Sequence, residues 1–365
     1  MAFSTNNIED RDEDLQENEK IEKAVKEQTA IPPAYIPIEL STKGEFGAPE
    51  LFHIRNMSTA ELLDLTATAV DDMPTYVVEL LQKLIYEDDV DIKNFHEKEV
   101  VETLFLLYRS YYSTVWTGLP WKMLDEDYEF LEKQCGGKTD EYFKKIDALK
   151  TGKWKPTFDL DLSSIHFYDV MKAEGPTAEI SKPNGFTCEF GFPRYGDSVF
   201  LKKFVQEKFK EEDKRFANLR DQILTRNKQK EEYEAGERLR PPSVYIPEAE
   251  EKMYNEYEKR KLIFSSKALL AVSLKKIRGE DVSEMDFSKK ILLVDDPDLD
   301  HTVFGPIVET YKNIKIGIND KFLVKDPITF KPVEITFPFR IFDILQAMSD
   351  HKSDTTTVVF KRKNK

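Results

Sequence analysis

The residues best suited to phosphate chemistry lie at 136–139, where Gly-Gly-Lys-Thr resembles the end of a nucleotide-binding loop. That motif also requires a glycine five positions before Gly137, and Glu132 stands there. Without the first glycine the backbone cannot wrap the phosphates in the way the motif needs. The spacing therefore predicts no nucleotide site at Lys138.

Metal chemistry is suggested by the aspartate-rich segment 295–300, but its spacing does not fit a calcium loop. Counting from Asp296, His301 takes the place of the required glycine and Ile307 that of the bidentate glutamate. The five histidines stand singly and the two cysteines lie far apart, so neither a zinc site nor a disulfide is expected. We assign no catalytic residue, no metal and no cofactor from the sequence, which favours a protein that is not an enzyme.

Aromatic side chains are the more unusual feature, with 25 Phe, 15 Tyr and three Trp against only 14 Gly. Tyr and Trp are enriched where chains meet, because they bury a large area and keep a polar group. Such rings pack either in the chain's own core or at an interface between chains. For Tyr111, Tyr112, Trp116 and Trp121 we favour the core. The predicted partner-interface residues are Tyr35, Arg55, Tyr111, Tyr112, Trp116, Trp121, Phe204, Phe209, Phe337 and Phe339.

Composition limits the class of partner. A net charge of −14 argues against a dedicated nucleic-acid binder, because neutralising phosphates requires a basic face. No stretch reaches the roughly 20 apolar residues of a membrane span, and the N-terminal residues lack the pattern of a secretory signal. We expect a protein made in a reducing cytoplasm, with no small-molecule substrate.

The elements that position these residues predict an α+β fold, elongated and divided into several units. We expect an acidic flexible arm over 1–32 and an α+β module over 33–150. Short strands and a long charged helix should follow over 151–247, and then a helix, a small antiparallel β element and a basic tail over 248–365.

The first module is predicted to be built on a helix over 94–117, whose apolar residues recur every three or four positions. Asn94 is expected to cap it with Glu97 in a capping box, and Gly118 with Pro120 to end it. A hairpin over residues 35–55 and a helix over 74–86 complete the module.

Two further patterns have clear signals. Ser58 followed by Glu61 predicts a capping box, and Asn184-Gly185 predicts the turn of a second hairpin. Residues 195–197 are expected to lead into a projecting charged helix from Phe200 to Arg240, and another helix is expected over 248–278.

The C-terminal part is predicted to return to β structure. Strands are expected at 313–318, 321–326 and 332–339, and a short helix at 341–348.

Three stretches together resemble the hub and hub-assembly proteins of contractile-tailed bacteriophage baseplates. They are 37–65, PIELSTKGEFGAPELFHIRNMSTAELLDL, 190–209, FGFPRYGDSVFLKKFVQEKF, and 314–344, IKIGINDKFLVKDPITFKPVEITFPFRIFDI. Some relatives hold a cysteine knuckle in the last stretch, where this chain has 325–329, KDPIT, so no metal is expected there.

This resemblance implies a virion protein of the tail baseplate, or a protein of its assembly, in contact with other tail proteins in a multi-subunit complex. An assembly chaperone absent from the finished particle is the alternative within the same system. The alternatives outside it are an enzyme whose dispersed site is not visible in one sequence, and an adaptor that binds host proteins through residues 1–30.

Overall fold

The computed structural model describes residues 31–69, 72–136, 138–169, 177–234, 240–299, 301–337 and 339–355. The acidic arm up to residue 30 and the basic tail from 356 lie outside the described residues. The strands are β1 (Tyr35–Glu39), β2 (Leu51–Arg55), β3 (Val115–Pro120), β4 (Thr157–Asp161), β5 (Thr177–Ser181), β6 (Thr187–Gly191), β7 (Leu274–Ile277), β8 (Glu280–Asp281), β9 (Lys321–Lys325) and β10 (Pro332–Thr336). The helices are α1 (Thr59–Ala67), α2 (Met73–Leu84), α3 (Glu97–Tyr111), α4 (Asp125–Gln134), α5 (Thr139–Lys150), α6 (Tyr195–Glu234), α7 (Glu248–Ser273), α8 (Phe287–Leu293), α9 (His301–Asn313) and α10 (Ile341–Thr355).

The α+β class is confirmed, because helices are combined with small antiparallel sheets. Strands β1 and β2 form the expected N-terminal hairpin, in which Tyr35 faces Arg55. The capping box of α1 is also present: the amide of Glu61 donates to Ser58 Oγ at 3.3 Å, and the amide of Ser58 donates to Glu61 Oε2 at 2.7 Å.

The central helix α3 is shorter than predicted at both ends. His96, not Asn94, caps it, and Glu99 rather than Glu97 accepts from the amide of His96, at 2.8 Å. The helix ends at Tyr111, and residues 115–120 form β3, which pairs with β4. The spacing of apolar residues does not show whether a helix continues or is followed by a strand. The predicted helix therefore extends beyond the observed end of α3.

The main hydrophobic core crosses the predicted unit boundaries. It contains Ile38 and Leu104 from the first module, Leu160 from β4, and Phe322 and Met348 from the C-terminal part. The 33–150 module therefore does not close its own core. Residues of the β9–β10 hairpin and of α10, which we predict in one unit with the helix that begins at Glu248, share this core.

A second core lies under the sheet β5-β6-β7-β8, in which every neighbouring pair is antiparallel. The turn before β6 has Gly185 at φ +85°, as the Asn-Gly pair predicts. Strand β7 was missed, because the helix expected to reach Arg278 ends at Ser273. Leu274 and Ile277 are buried as strand residues beside β6, so pairing with that strand overrides the helical pattern.

In the C-terminal part, β9 and β10 form the expected antiparallel hairpin, whereas the strand expected at 313–318 is absent from the described structure. Only an isolated bridge joins Ile318 to Phe167 there. Gly317 has φ +73° and packs against Lys98, which bends the chain out of strand geometry. The helix expected to end at 348 continues as α10 to Thr355.

Helices α6 and α7 form a long antiparallel pair. Helix α6 has 40 residues, which corresponds to a length of about 60 Å at 1.5 Å per residue. It begins against the 3-10 turn Ile92–Asn94 of the first module. In the described part of the chain, each helix is too short or too polar to cross a lipid bilayer.

Candidate functional site

Four of the predicted interface rings meet at the carboxyl end of α3. Tyr112 stacks on Tyr108 with their centroids 5.7 Å apart, and Trp116 packs edge-on against Phe337 at 5.8 Å. Phe339 lies 5.3 Å from Phe337. The structure thus brings together rings from β3 and from the segment after β10, and it leaves them half-buried within one chain.

Tyr35, Arg55 and Tyr111 lie together beside the N-terminal hairpin. The hydroxyl of Tyr111 donates to the carbonyl of Ala34 at 2.8 Å. The guanidinium of Arg55 donates to both oxygens of Glu61, at 2.7 and 3.0 Å, and these hydrogen bonds lower the pKa of Glu61 to about 2. The ion pair therefore ties β2 to the first turn of α1.

Trp121 and Phe209 are buried, with exposures of 8% and 6%. Trp121 belongs to the main core and donates from Nε1 to Asp127, while Phe209 belongs to the core between α6 and α7. Both were predicted as partner contacts. In this conformation neither offers a surface, because the chain's own helices cover them.

The helical hairpin α6–α7 is joined by a ladder of aromatic rings. From its base towards its tip, the contacts are Phe204–Phe264, Phe209–Phe264, Phe209–Tyr257, Phe216–Tyr257 and Phe216–Tyr254, with centroids 5.7, 5.6, 6.0, 5.0 and 6.0 Å apart. Val205, Phe209, Phe216 and Leu219 keep to the alternating four-three spacing of a coiled coil, with Glu212 at the one position in this series that is not apolar. Phe204 and Phe209, both predicted as partner-interface residues, belong to this ladder within the chain.

Ion pairs flank the ring ladder. Arg226 donates to both oxygens of Glu251, at 2.5 and 2.7 Å, and Lys261 donates to Asp213 at 2.6 Å. Burial by itself would raise the pKa of Asp213, but hydrogen bonds from Lys261 and from the Tyr257 hydroxyl lower it below its ordinary value. Charge therefore fixes the register of the two helices, while the rings supply the buried area.

Large apolar side chains remain exposed outside this ladder. They are Leu224, Tyr233, Tyr245, Met253, Leu262 and Ile263, with exposures of 60%, 45%, 85%, 45%, 68% and 47%. On one side, a groove of about 360 Å³ is lined by Phe216, Leu219 and Met253, together with polar side chains. This outer surface was not identified from the sequence, because the prediction was based on the aromatic residues of the ladder, which line the inner face of the α6–α7 hairpin.

Two buried glutamates on α3 hold the glycine-containing segment 41–48. Glu102 accepts from the amide and the hydroxyl of Ser41, both at 2.8 Å, and Glu99 accepts from Thr42 Oγ1 at 2.5 Å and from the amide of Ala48 at 3.2 Å. Burial raises the pKa of Glu102 to about 7 and also raises that of Glu99. Every group that hydrogen-bonds to these two carboxyl groups belongs to segment 41–48 or to the cap of α3. The role of the two glutamates is therefore structural.

A groove of about 780 Å³ lies between α2 and the start of α6. Val78 and Phe200 supply its apolar side, and Glu79, Lys93 and Lys203 contribute charges of both signs. Neither buried glutamate of α3 lines it. The two carboxyl groups with raised pKa values therefore lie outside this groove. In many catalytic sites, by contrast, a group with a shifted pKa lines a cleft.

A second groove of about 320 Å³ surrounds Lys98, whose ammonium group donates to the carbonyl of Ile314. Burial lowers the pKa of Lys98, and the nearby Asp320 acts in the opposite sense. Lys315 and Tyr168 also line this groove. The arrangement fastens the segment 313–320 to α3.

His96 and Cys188 are unsuited to nucleophilic chemistry. Burial lowers the pKa of His96 to about 4 and raises that of Cys188 to about 11, so at neutral pH the imidazole is uncharged and the thiol is protonated. Over the described residues there is no group of three or more His, Cys, Asp or Glu side chains placed to hold a metal ion. The arrangement as a whole offers contact surfaces.

Comparison with known proteins gives no relative from which a role could be transferred. No protein-family model, curated protein or solved structure matches this chain.

Proposed function

We propose that the protein is a structural or assembly component of a phage tail baseplate, at or near the hub, which works through contacts with other tail proteins. The observation that carries the proposal is the helical hairpin α6–α7, which keeps large apolar side chains exposed after its own ring ladder is complete. The resemblance of three stretches to baseplate hub and hub-assembly proteins supplies the particular system.

The exposed residues of the hairpin are suited to a protein partner. Leu262 and Ile263 are neighbours on α7, and they leave more than two fifths of each side chain open to solvent. Apolar side chains in such a position, bordered by charged ones, are characteristic of protein–protein contact sites. The acidic and basic residues on both helices would set the orientation of the partner.

The test is co-expression of the full chain with candidate hub and tail proteins of a contractile-tailed phage, followed by size-exclusion chromatography with light scattering. Leu262→Asp should weaken a complex formed by the wild-type chain, whereas Glu256→Gln, exposed on the same helix, should leave it intact. Far-UV circular dichroism shows whether both variants are folded. A wild-type chain that stays monomeric with every tail protein, or complexes that Leu262→Asp does not weaken, would count against the proposal.

A permanent component remains in the finished particle, whereas an assembly chaperone is absent from it. Mass spectrometry of purified particles would find the protein at a fixed copy number if it is a component of the virion. Its presence in assembly intermediates alone would favour the chaperone. Its absence from both would contradict the baseplate assignment, while the contact surface could still be tested separately.

A further inference from the structure

Two aspartates that are far apart in the sequence meet in the interior. Asp127 lies in the first turn of α4, and Asp326 directly follows β9. They are fully buried, with exposures of 0% and 1%, and each carboxyl group lies close enough to shift the pKa of the other. The contact joins the helical module to the turn between β9 and β10.

The surrounding donors are distributed unequally between the two carboxyl groups. Asp326 accepts from the amides of Ile328 and Thr329, at 2.7 and 3.1 Å, and from the Thr329 hydroxyl at 2.6 Å. Asp127 accepts two hydrogen bonds, but only through Oδ2, from Trp121 Nε1 and from the amide of Leu124, both at 2.8 Å.

The second oxygen of Asp127, Oδ1, is buried and has no donor among the described residues. A carboxylate cannot donate a hydrogen bond, so two ionised carboxyl groups in contact would leave this oxygen unsatisfied beside a like charge. A proton on Asp127 removes both penalties, because the group then donates to Asp326. The donor set around Asp326 makes it the better site for the negative charge.

We propose that Asp127 and Asp326 share one proton and act as a latch that fastens the β9–β10 hairpin to α4. The latch is closed while the pair carries a single negative charge. It weakens when the shared proton leaves and also when a second proton is added. This inference concerns a conformational device and does not depend on the proposed function.

The directions of the pKa shifts agree with this arrangement. Burial and the neighbouring Asp326 raise the pKa of Asp127. Burial would also raise the pKa of Asp326, but hydrogen bonds from Thr329 and Asp127 lower it. Stability from Asp127 is therefore lost as pH rises through its raised pKa, and stability from Asp326 is lost as pH falls through its lowered one.

The donors on the pair in the described structure are the Trp121 indole, the Thr329 hydroxyl and the amides of residues 124, 328 and 329. The largest influences on the two pKa values among the described residues come from burial, from these donors and from the other carboxyl group, so the proton takes the role that a cation has in an ion pair. Opening the latch would loosen the packing of Phe322, Val324 and Ile328, which belong to the main core.

The experiment uses the full chain with ¹³C-labelled aspartate, and NMR of the side-chain carboxyl carbons at neutral pH. The wild-type protein should show one protonated carboxyl, and Asp127→Asn should remove that signal. Asp125→Asn, on the exposed side of the same helical turn, is the control and should retain it. A wild-type spectrum in which both Asp127 and Asp326 are ionised at neutral pH would overturn the proposal.

Hydrogen exchange of the β9 and β10 amides tests the latch itself. The amide group of Asp127→Asn can accept from Trp121 and donate to Asp326 at every pH, so protection should equal that of the wild-type chain. Asp127→Ala loses the donor and leaves Asp326 buried without it, so these amides should exchange about tenfold faster or more. Unchanged exchange in Asp127→Ala, or equally fast exchange in both variants, would contradict a proton-sharing latch.

Discussion

Replacing Glu102 by glutamine should make the protein more stable, and increasingly so as the pH rises. Burial raises the pKa of Glu102 from its ordinary 4.5 to about 7, so the folded state holds the proton more tightly than the unfolded chain does. The stability that this group supports is fully present below pH 4.5 and is lost as the pH rises through 7. Glutamine cannot ionise, and it can still accept from the amide of Ser41 while donating to its hydroxyl.

The magnitude follows from the two pKa values. Each pH unit between 4.5 and about 7 changes the free energy of unfolding by about 1.4 kcal/mol. Glu102→Gln should therefore match the wild-type chain at pH 4.5 and exceed its stability by about 3 kcal/mol at pH 8. Glu99 is buried beside it and its pKa is also raised, so the variant should keep a smaller pH dependence of its own.

Urea unfolding followed by circular dichroism, at intervals from pH 4.5 to pH 8, measures this difference directly. Glu97→Gln is the matched control: the side chain is exposed in the first turn of the same helix, and its replacement should leave the wild-type profile unchanged. If the curves for Glu102→Gln and for the wild-type chain run parallel over this range, the buried glutamate does not hold its proton as we argue.

Three further predictions test the packing around the candidate surfaces. Gly47→Ala should lower the free energy of unfolding by about 3 kcal/mol, measured by thermal unfolding, because φ is +132° and the new Cβ would lie 2.0 Å from a backbone carbonyl oxygen. Gly185→Ala, where φ is +85° and the space around the new Cβ is open, should lower it by only about 1 kcal/mol. Arg55→Met should raise the pKa of Glu61 from about 2 towards its ordinary value, which NMR titration of the side-chain carboxyl measures, and an unchanged pKa would contradict the ion pair. The variant should be less stable at neutral pH and should lose less stability than the wild-type chain as the pH falls from 4.5 to about 2. Phe216→Ala should lower the free energy of unfolding by about 3–5 kcal/mol, so the helical circular dichroism should be lost at a lower temperature. A change below about 0.5 kcal/mol would show that the ring ladder does not hold α6 to α7.

Local signals in the sequence predicted the short-range features of the fold well. The Ser58–Glu61 capping box and the Asn184-Gly185 turn are set by residues within a few positions of each other, and both are present. The long helix α6 was also predicted, from Phe200 onwards, because charged residues and rings recur along it with helical spacing. These features need no partner from elsewhere in the chain.

Features that depend on distant residues were missed. The sequence around Glu99 and Glu102 does not show that they are buried acceptors, because only their contact with 41–48 makes them so. The end of α3 and the strand β7 were missed because strand pairing with β4 and β6 decides them. For the candidate surface, the sequence identified aromatic residues but not the direction in which they point, so it did not separate the buried Trp121 and Phe209 from rings that are open to a partner.

The composition of the main core has a consequence for how the protein is made on the ribosome. Ile38 and Leu104 are synthesised early, but the partners that close their core, Phe322 and Met348, emerge only after the whole α6–α7 hairpin has been translated. Helical hairpins form from local contacts and fold fast, whereas contacts between such distant segments form slowly. The nascent chain must therefore carry an unfinished core through most of its translation, a period in which it is prone to aggregate or to recruit a folding helper.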